Sequence, residues 1–178
     1  MHATLADVIA DTAQNSIEAG ARHILLSLVE DDTTISVHIV DDGKGMDEAV
    51  QARAFNPFYT EPGKHDKRKV GLGLPILKQI CESTDGSVKL KSQKGVGTDL
   101  AYSFSATHID LPPMGDIVEA VLMLFNYPGE FDLTFTHKKG TKEYSISRLE
   151  LAEAVGGIES VESLSLAREF LQSQEDDL

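Results

Sequence analysis

Val40-Asp41-Asp42-Gly43-Lys44-Gly45-Met46 decides how this chain of 178 residues is read. It follows a β-rich run, Thr33–Val40, and Asp-Gly is a strong turn signal, so a strand ends here in a tight loop. A turn alone would explain these residues. They also suit a binding site: Asp41 puts a carboxylate at a strand end, where it can accept a hydrogen bond from an adenine amino group. Gly43 and Gly45 would let a flat ring come close to the backbone.

Upstream, Leu5, Val8, Ile9, Thr12, Ala13, Ser16 and Ile17 recur with helical spacing, and Gly20 ends that helix. His23–Val29 and Thr33–Val40 read as adjacent antiparallel strands joined through Glu30-Asp31-Asp32. Downstream, residues 41–70 read as loop, with Gly43, Gly45, Pro57, Pro62, Gly63 and a run of charge; a loop that long inside a compact domain is usually functional or mobile. Leu74–Ser83 reads as a helix, and Ser87–Ser92 and Thr98–Ala106 as strands turning through Gln93–Gly97. Leu111-Pro112-Pro113 is the natural linker. Beyond it come a helix at Ile117–Phe125, a hairpin of Phe131–Thr136 with Glu143–Ile146 around Lys139-Gly140, and helices at Arg148–Val155 and Val161–Gln172 capped by Ser147 and Ser160. The tail Glu175-Asp176-Asp177 is expected to fray.

Sixteen Lys and Arg against 29 Asp and Glu give a net charge of −13, which disfavours nucleic acid and anionic membranes. The apolar runs are too short to span a bilayer, and the start has no signal-peptide pattern. The single cysteine, Cys81, can form neither an internal disulfide nor a cysteine metal site. These features fit a cytoplasmic protein of a bacterium or archaeon.

Three further features carry chemistry. Asp11, Asn15 and Glu18 stand at i, i+4 and i+7, hence on one helical face; such oxygen donors suit a hard cation that keeps several waters, although a solvated polar face reads the same way. Val70-Gly71-Leu72-Gly73-Leu74-Pro75-Ile76 places glycines and a first-turn proline at a helix start, whose free N–H groups attract anions. Just before it stand Lys64, His65, Lys67, Arg68 and Lys69, basic residues able to touch phosphate in an otherwise acidic chain.

In their order these elements resemble the GHKL superfamily of gyrase, heat-shock chaperone, histidine kinase and MutL ATPases. Asp11-Thr-Ala-Gln-Asn15-Ser-Ile-Glu18-Ala19-Gly20-Ala21 resembles the N box, and Asp41-Asp-Gly43-Lys-Gly45 the first glycine box. Phe55-Asn-Pro57-Phe58-Tyr59-Thr60 is similar to the F box of sensor histidine kinases; Gly71-Leu-Gly73-Leu and Gly95-Val-Gly97-Thr98 complete the set. The resemblance spans roughly residues 5–105. It implies an α/β sandwich: a mixed, mainly antiparallel sheet with helices on one face and a flexible ATP lid at 47–70. Residues 1–110 would form the ATP-binding domain and 113–178 a small α/β appendage of unknown role. It further implies that Asn15 coordinates Mg²⁺ and contributes to the ATP site, and that Asp41 reads adenine with Gly43, Gly45 and Thr98. Gly71, Leu72, Gly73 and Leu74 would cradle phosphate, Lys64 would contact it, and Phe55 and Phe58 would pin the lid.

Asp11 stands where hydrolysing members usually carry Glu, one methylene longer, and Glu61-Pro62 follows Thr60 where many sensor kinases carry Thr-Lys. Met1 lies almost at the N box, so the dimerising hairpin with its acceptor histidine, and the strands that usually precede the N box, are expected to be absent. All six histidines read as surface or strand residues. The expectation is Mg²⁺-dependent ATP binding with phosphoryl transfer to a separate protein acceptor in a signalling system. The alternatives are an ATP-sensing regulatory module and a slow ATPase using Asp11. The C-terminal segment is expected to dock a partner or to mediate a homodimer.

Overall fold

The computed structural model describes residues 4–57 and 73–178. The expectations for Lys64, Gly71, Leu72, Phe58 and most of the lid therefore lie outside the described residues.

Helix α1 (Leu5–Glu18) begins at Thr4, whose hydroxyl accepts from the Asp7 amide while the Asp7 carboxylate accepts from the Thr4 amide. The apolar stripe foreseen on α1 is buried: Leu5, Val8, Ile9, Ala13 and Ile17 all lie in the core. Strands β1 (His23–Glu30) and β2 (Thr34–Asp41) form an antiparallel hairpin. Its turn is held by the Asp31 carboxylate, which accepts from the amides of Thr33 and Thr34 at 2.8 Å each. The stretch read as loop contains a short helix, α2 (Glu48–Arg53), capped by Asp47. With six residues and no buried side chain it offers no apolar periodicity by which a helix could be recognised in the sequence.

Helix α3 (Gly73–Ser83), strands β3 (Ser87–Gln93) and β4 (Gly97–Ser105), and helix α4 (Ile117–Phe125) come next. They are followed by β5 (Asp132–Lys139), β6 (Lys142–Ser147), α5 (Arg148–Val155) and α6 (Val161–Asp176). The six strands make one sheet in the order β3-β4-β2-β1-β5-β6, antiparallel throughout except for β1 beside β5. The residues after the Pro112-Pro113 loop thus continue the same sheet, with Ile24 beside Leu133 and Leu26 beside Phe135.

Strand alternation sends Ile24, Leu26 and Leu28, Ile35, Val37 and Ile39, Leu100, Tyr102 and Phe104, and Leu133 and Phe135 toward the helices. There α1 packs between α3 and α4, and α6 covers α4, in one continuous core. The other sheet face presents Ser27, Ser36, His38, Lys89 and Ser103 around a shallow concavity. α6 runs to Asp176, and Glu175, expected in a frayed tail, is held by the side chains of His137 and Tyr144. Sequence spacing could not show that two strand residues wait beneath the last turn.

Candidate functional site

The site grows from the end of β2. Asp41 is buried, and its carboxylate is fixed on both oxygens: Ser16 Oγ of α1 donates to Oδ2 at 2.6 Å, and the Gly43 amide donates to Oδ1 at 2.9 Å. A carboxylate accepts about four hydrogen bonds, so directions remain for a further donor. Thr98 is the register partner of Asp41 across β2 and β4, which puts its hydroxyl at the same strand end.

The glycines are there because the backbones touch. A Cβ on Gly97 would come within 1.9 Å of the Asp41 carbonyl oxygen, and one on Gly45, at φ +61°, within 2.0 Å of the Gln93 carbonyl oxygen. No side chain fits at either distance. The loop after β2 is thereby pressed against the β3–β4 turn, and the Gly95 amide donates to the Lys44 carbonyl at 2.7 Å. On its other side the Lys44 amide donates to the Ala19 carbonyl at 3.0 Å, tying the loop to the end of α1.

Ser92 knits this corner together. Its hydroxyl accepts from the Met46 amide at 2.8 Å, donates to the Gly97 carbonyl at 3.0 Å and lies 3.0 Å from the Thr98 hydroxyl. The Ser92 amide donates to Gln51 of α2. The sequence places Ser16 only in the helical stripe of α1 and Ser92 only in a strand, and assigns neither to the site. Ser16 is one small polar residue on a helix, and its meaning appears only when β2 docks beside it; Ser92 has no local signal at all.

On α1, Asp11, Asn15 and Glu18 are half-buried along one side, as their spacing requires. Asn15 faces the start of α3: its Nδ2 lies 3.9 Å from where a Cβ of Gly73 would be. Leu74 packs against the core one residue on. The carboxamide of the N-box helix and the glycine-rich start of α3 are therefore neighbours. Phe55 lies across from the same helix, with Lys78 Nζ 6.0 Å from its ring centre.

At the outer rim Asp42 accepts from the amides of Arg22 and His23 and lies 2.7 Å from His23 Nδ1. The His23 amide and ring, more than the opposing burial, hold its pKa down at about 2. Burial pushes the Cys81 thiol up to about 12, which leaves it inert near neutral pH. His23, His38, His108 and His137 lie on strands or in a loop; His2 and His65 are outside the described residues. His137 is not a surface residue: it is enclosed between two glutamates.

No helix among the described residues is long and apolar enough to cross a membrane. No group of three or more His, Cys, Asp or Glu among them could hold a metal ion by itself. That does not disfavour Mg²⁺, which commonly takes one or two protein oxygens and fills its octahedron with water and phosphate. The Asn15 carboxamide oxygen beside the α3 start, with Asp11 one turn away, fits such a role.

A two-layer α/β sandwich with an oriented aspartate at a strand end, backbone-tight glycines around it and an asparagine facing a glycine-rich helix start defines an ATP-binding domain of the histidine-kinase type. Residues 2–111 match the histidine kinase-, DNA gyrase B-, and HSP90-like ATPases, and the chain belongs to that family. It is 35% identical over 104 residues to the heme sensor protein HssS of Staphylococcus saprophyticus, a match covering 58% of this chain and 22% of that protein. It is 32% identical over 89 residues to the tetrathionate sensor histidine kinase TtrS of Salmonella typhimurium, covering 50% of this chain and 14% of that one. The matches thus span less than a quarter of either relative. Among solved structures, the N-terminal domain of a DNA repair protein superposes with a TM-score of 0.58 at 15% identity, covering 90% of this chain and 58% of that one. That likeness is one of fold, and it extends past residue 111 into the C-terminal strands and helices.

Proposed function

We propose that this chain binds ATP together with Mg²⁺ and presents its γ-phosphoryl group for transfer to a separate protein acceptor in a signalling system. The observation that carries the reading is the Asp41 carboxylate, buried, aimed by Ser16 and Gly43, and set beside Thr98 at the mouth of the β2–β4 ladder. A fixed carboxylate acceptor set to meet the 6-amino group of adenine would face the 6-oxo group of guanine, a second acceptor, so ATP is preferred to GTP. The glycine contacts leave space for the ring against backbone. Asn15, with Asp11 nearby, would hold Mg²⁺, which when bound neutralises phosphate charge. Gly73 and Leu74 begin the helix whose positive end faces the phosphates. Gly71, Leu72 and a basic residue such as Lys64 would complete that cradle.

In the transfer the bond between the γ-phosphorus and its bridging oxygen breaks, ADP leaves with that oxygen, and the acceptor's nucleophile gains the phosphoryl group. The protein's share is positioning and charge neutralisation rather than covalent chemistry. Asp11, a short carboxylate, would make a poor base toward water, so hydrolysis is slow. The names of HssS and TtrS, sensor proteins, support a signalling role.

The test uses γ-labelled ATP and the purified chain, with and without proteins encoded beside it. Label appearing on a partner and not on the chain supports transfer in trans. Self-labelling on a histidine refutes the separate acceptor. Rapid release of free phosphate, lost in Asp11→Asn, assigns the chain to the ATPases instead. Tight ATP binding without any labelled product leaves a nucleotide sensor.

A further inference from the structure

His137 sits on β5 with its side chain 3% exposed, between two acidic side chains that are themselves largely covered, Glu30 at 18% and Glu175 at 14%. Nε2 lies 2.9 Å from Glu30 Oε1 at the end of β1, and Nδ1 lies 2.8 Å from Glu175 Oε1 in the last turn of α6. A carboxylate can only accept. Both ring nitrogens must therefore donate, and that requires the imidazolium. Tyr144 of β6 donates its hydroxyl to the same Glu175 oxygen at 2.5 Å, and Lys139 of β5 adds positive charge toward Glu30. Lys142 of β6 donates to the Asp177 carbonyl just beyond the helix, at 2.6 Å. These charged and titratable groups of β1, β5, β6 and α6 meet at this end of the helix. The arrangement gathers three strands under the end of one helix; α6 covers α4, and α4 packs on α1.

We propose that His137 is a protonation-dependent latch that fastens the C-terminal end of α6 to the sheet. With the proton in place, Glu30–His137–Glu175 is one continuous hydrogen-bonded chain of alternating charge. Without it, one ring nitrogen turns a lone pair toward a buried carboxylate, that carboxylate loses its donor, and two negative charges share a site with no cation between them. Either loss is severe for groups so well covered.

The direction of the pH response follows. Burial alone would lower the His137 pKa, but the hydrogen bonds to Glu175 and Glu30 outweigh it and leave the value raised above the usual 6.5. A raised folded value means that the latch is fully closed below about pH 6.5 and is lost as pH rises through the folded pKa. Between those two points, opening releases one proton, so the opening equilibrium of α6 grows by up to about tenfold per pH unit. On the acid side Glu30, lowered from 4.5 chiefly by its bond to His137, keeps its charge down into the carboxylate range.

The test is hydrogen exchange of the α6 amides on the whole chain from pH 6 to 9, corrected for intrinsic rates, with ring ¹⁵N shifts of His137 recorded alongside. The expected result is a doubly protonated ring at pH 6.5 and protection of residues 161–176 that falls with rising pH while α1 and β2 stay protected. His137→Gln, which cannot donate in two opposite directions, should lower α6 protection at pH 6.5 about tenfold or more and remove its pH dependence. A neutral ring at pH 6.5 overturns the proposal. So does a protonated ring with α6 exchange unchanged across the range, and that wild-type measurement decides the matter even if His137→Gln does not fold.

Discussion

Asp41→Ala strikes the site at its centre, and the structure sets the size of the effect. The substitution strands two donors, the Ser16 hydroxyl and the Gly43 amide, which now bond the carboxylate at 2.6 and 2.9 Å. A lost hydrogen bond to a charged group is worth about 1.5–3 kcal/mol. Solvent reaches part of this corner once the side chain is removed, so the lower half of that range is expected for stability, about 2 kcal/mol. For a chain of this size that lowers Tm by roughly 4–8 °C. Separately, ATP loses its amino-group acceptor, and the same range predicts an affinity lower by about 10- to 150-fold. Calorimetric titration with ATP, below the variant's Tm, measures the second effect without the first. Ser16→Ala is the companion: it frees one carboxylate oxygen but keeps the charge, so affinity should fall less than tenfold. A folded Asp41→Ala variant that binds ATP as tightly as the parent would refute the role given to Asp41.

Asn15→Ala should weaken the dependence of ATP binding on Mg²⁺, read by titrating with the metal present and then chelated; metal-independent binding by the parent chain would remove the role of Asn15. Gly45→Ala forces a Cβ into the Gln93 carbonyl at a positive φ, and should cost about 2 kcal/mol or more in thermal or denaturant unfolding. Leu171→Ala empties a fully buried position under α6, with an expected loss of about 2–5 kcal/mol by chemical denaturation. Asp42 has a folded pKa lowered from 3.8 to about 2, so its contribution is present above about pH 3.8 and vanishes as pH falls toward 2. Because it is half-exposed the effect is small, and an acid-unfolding curve for Asp42→Asn should be flatter in that window.

Much of the fold is legible in the sequence because its elements obey their own periods. α1 shows its buried stripe at helical spacing, and β1, β2 and β4 alternate cleanly because only one face of the sheet is covered. The site is legible where a backbone constraint selects glycine, as at Gly45 and Gly97, or where an asparagine and an aspartate stand at fixed positions in a motif. What stays hidden depends on which segments meet. Nothing near Glu175 in the chain announces His137 or Tyr144, and nothing in Ser92 foretells that it joins the Met46 amide to Thr98. Six residues of α2, with no apolar face, leave no pattern.

The parallel pairing of β1 with β5 has a consequence for the order of events as the chain is made. His23 pairs with Asp132 and Glu30 with Lys139, partners about a hundred positions apart in sequence. At ribosomal speeds of roughly 5–20 residues per second, β1 waits some 5–20 seconds for its neighbour. During that wait one whole side of its backbone has no ladder, and Leu25, still 57% exposed in the finished fold, stands beside it. A bare hydrophobic edge is a template for a second nascent chain. Synthesis stopped after residue 111 would make the wait permanent, so a fragment ending there should be sticky even though it contains the family match entire. The sheet is complete only once β5 has paired with β1, so slowing translation between β4 and β5 is expected to lower the yield of folded chain.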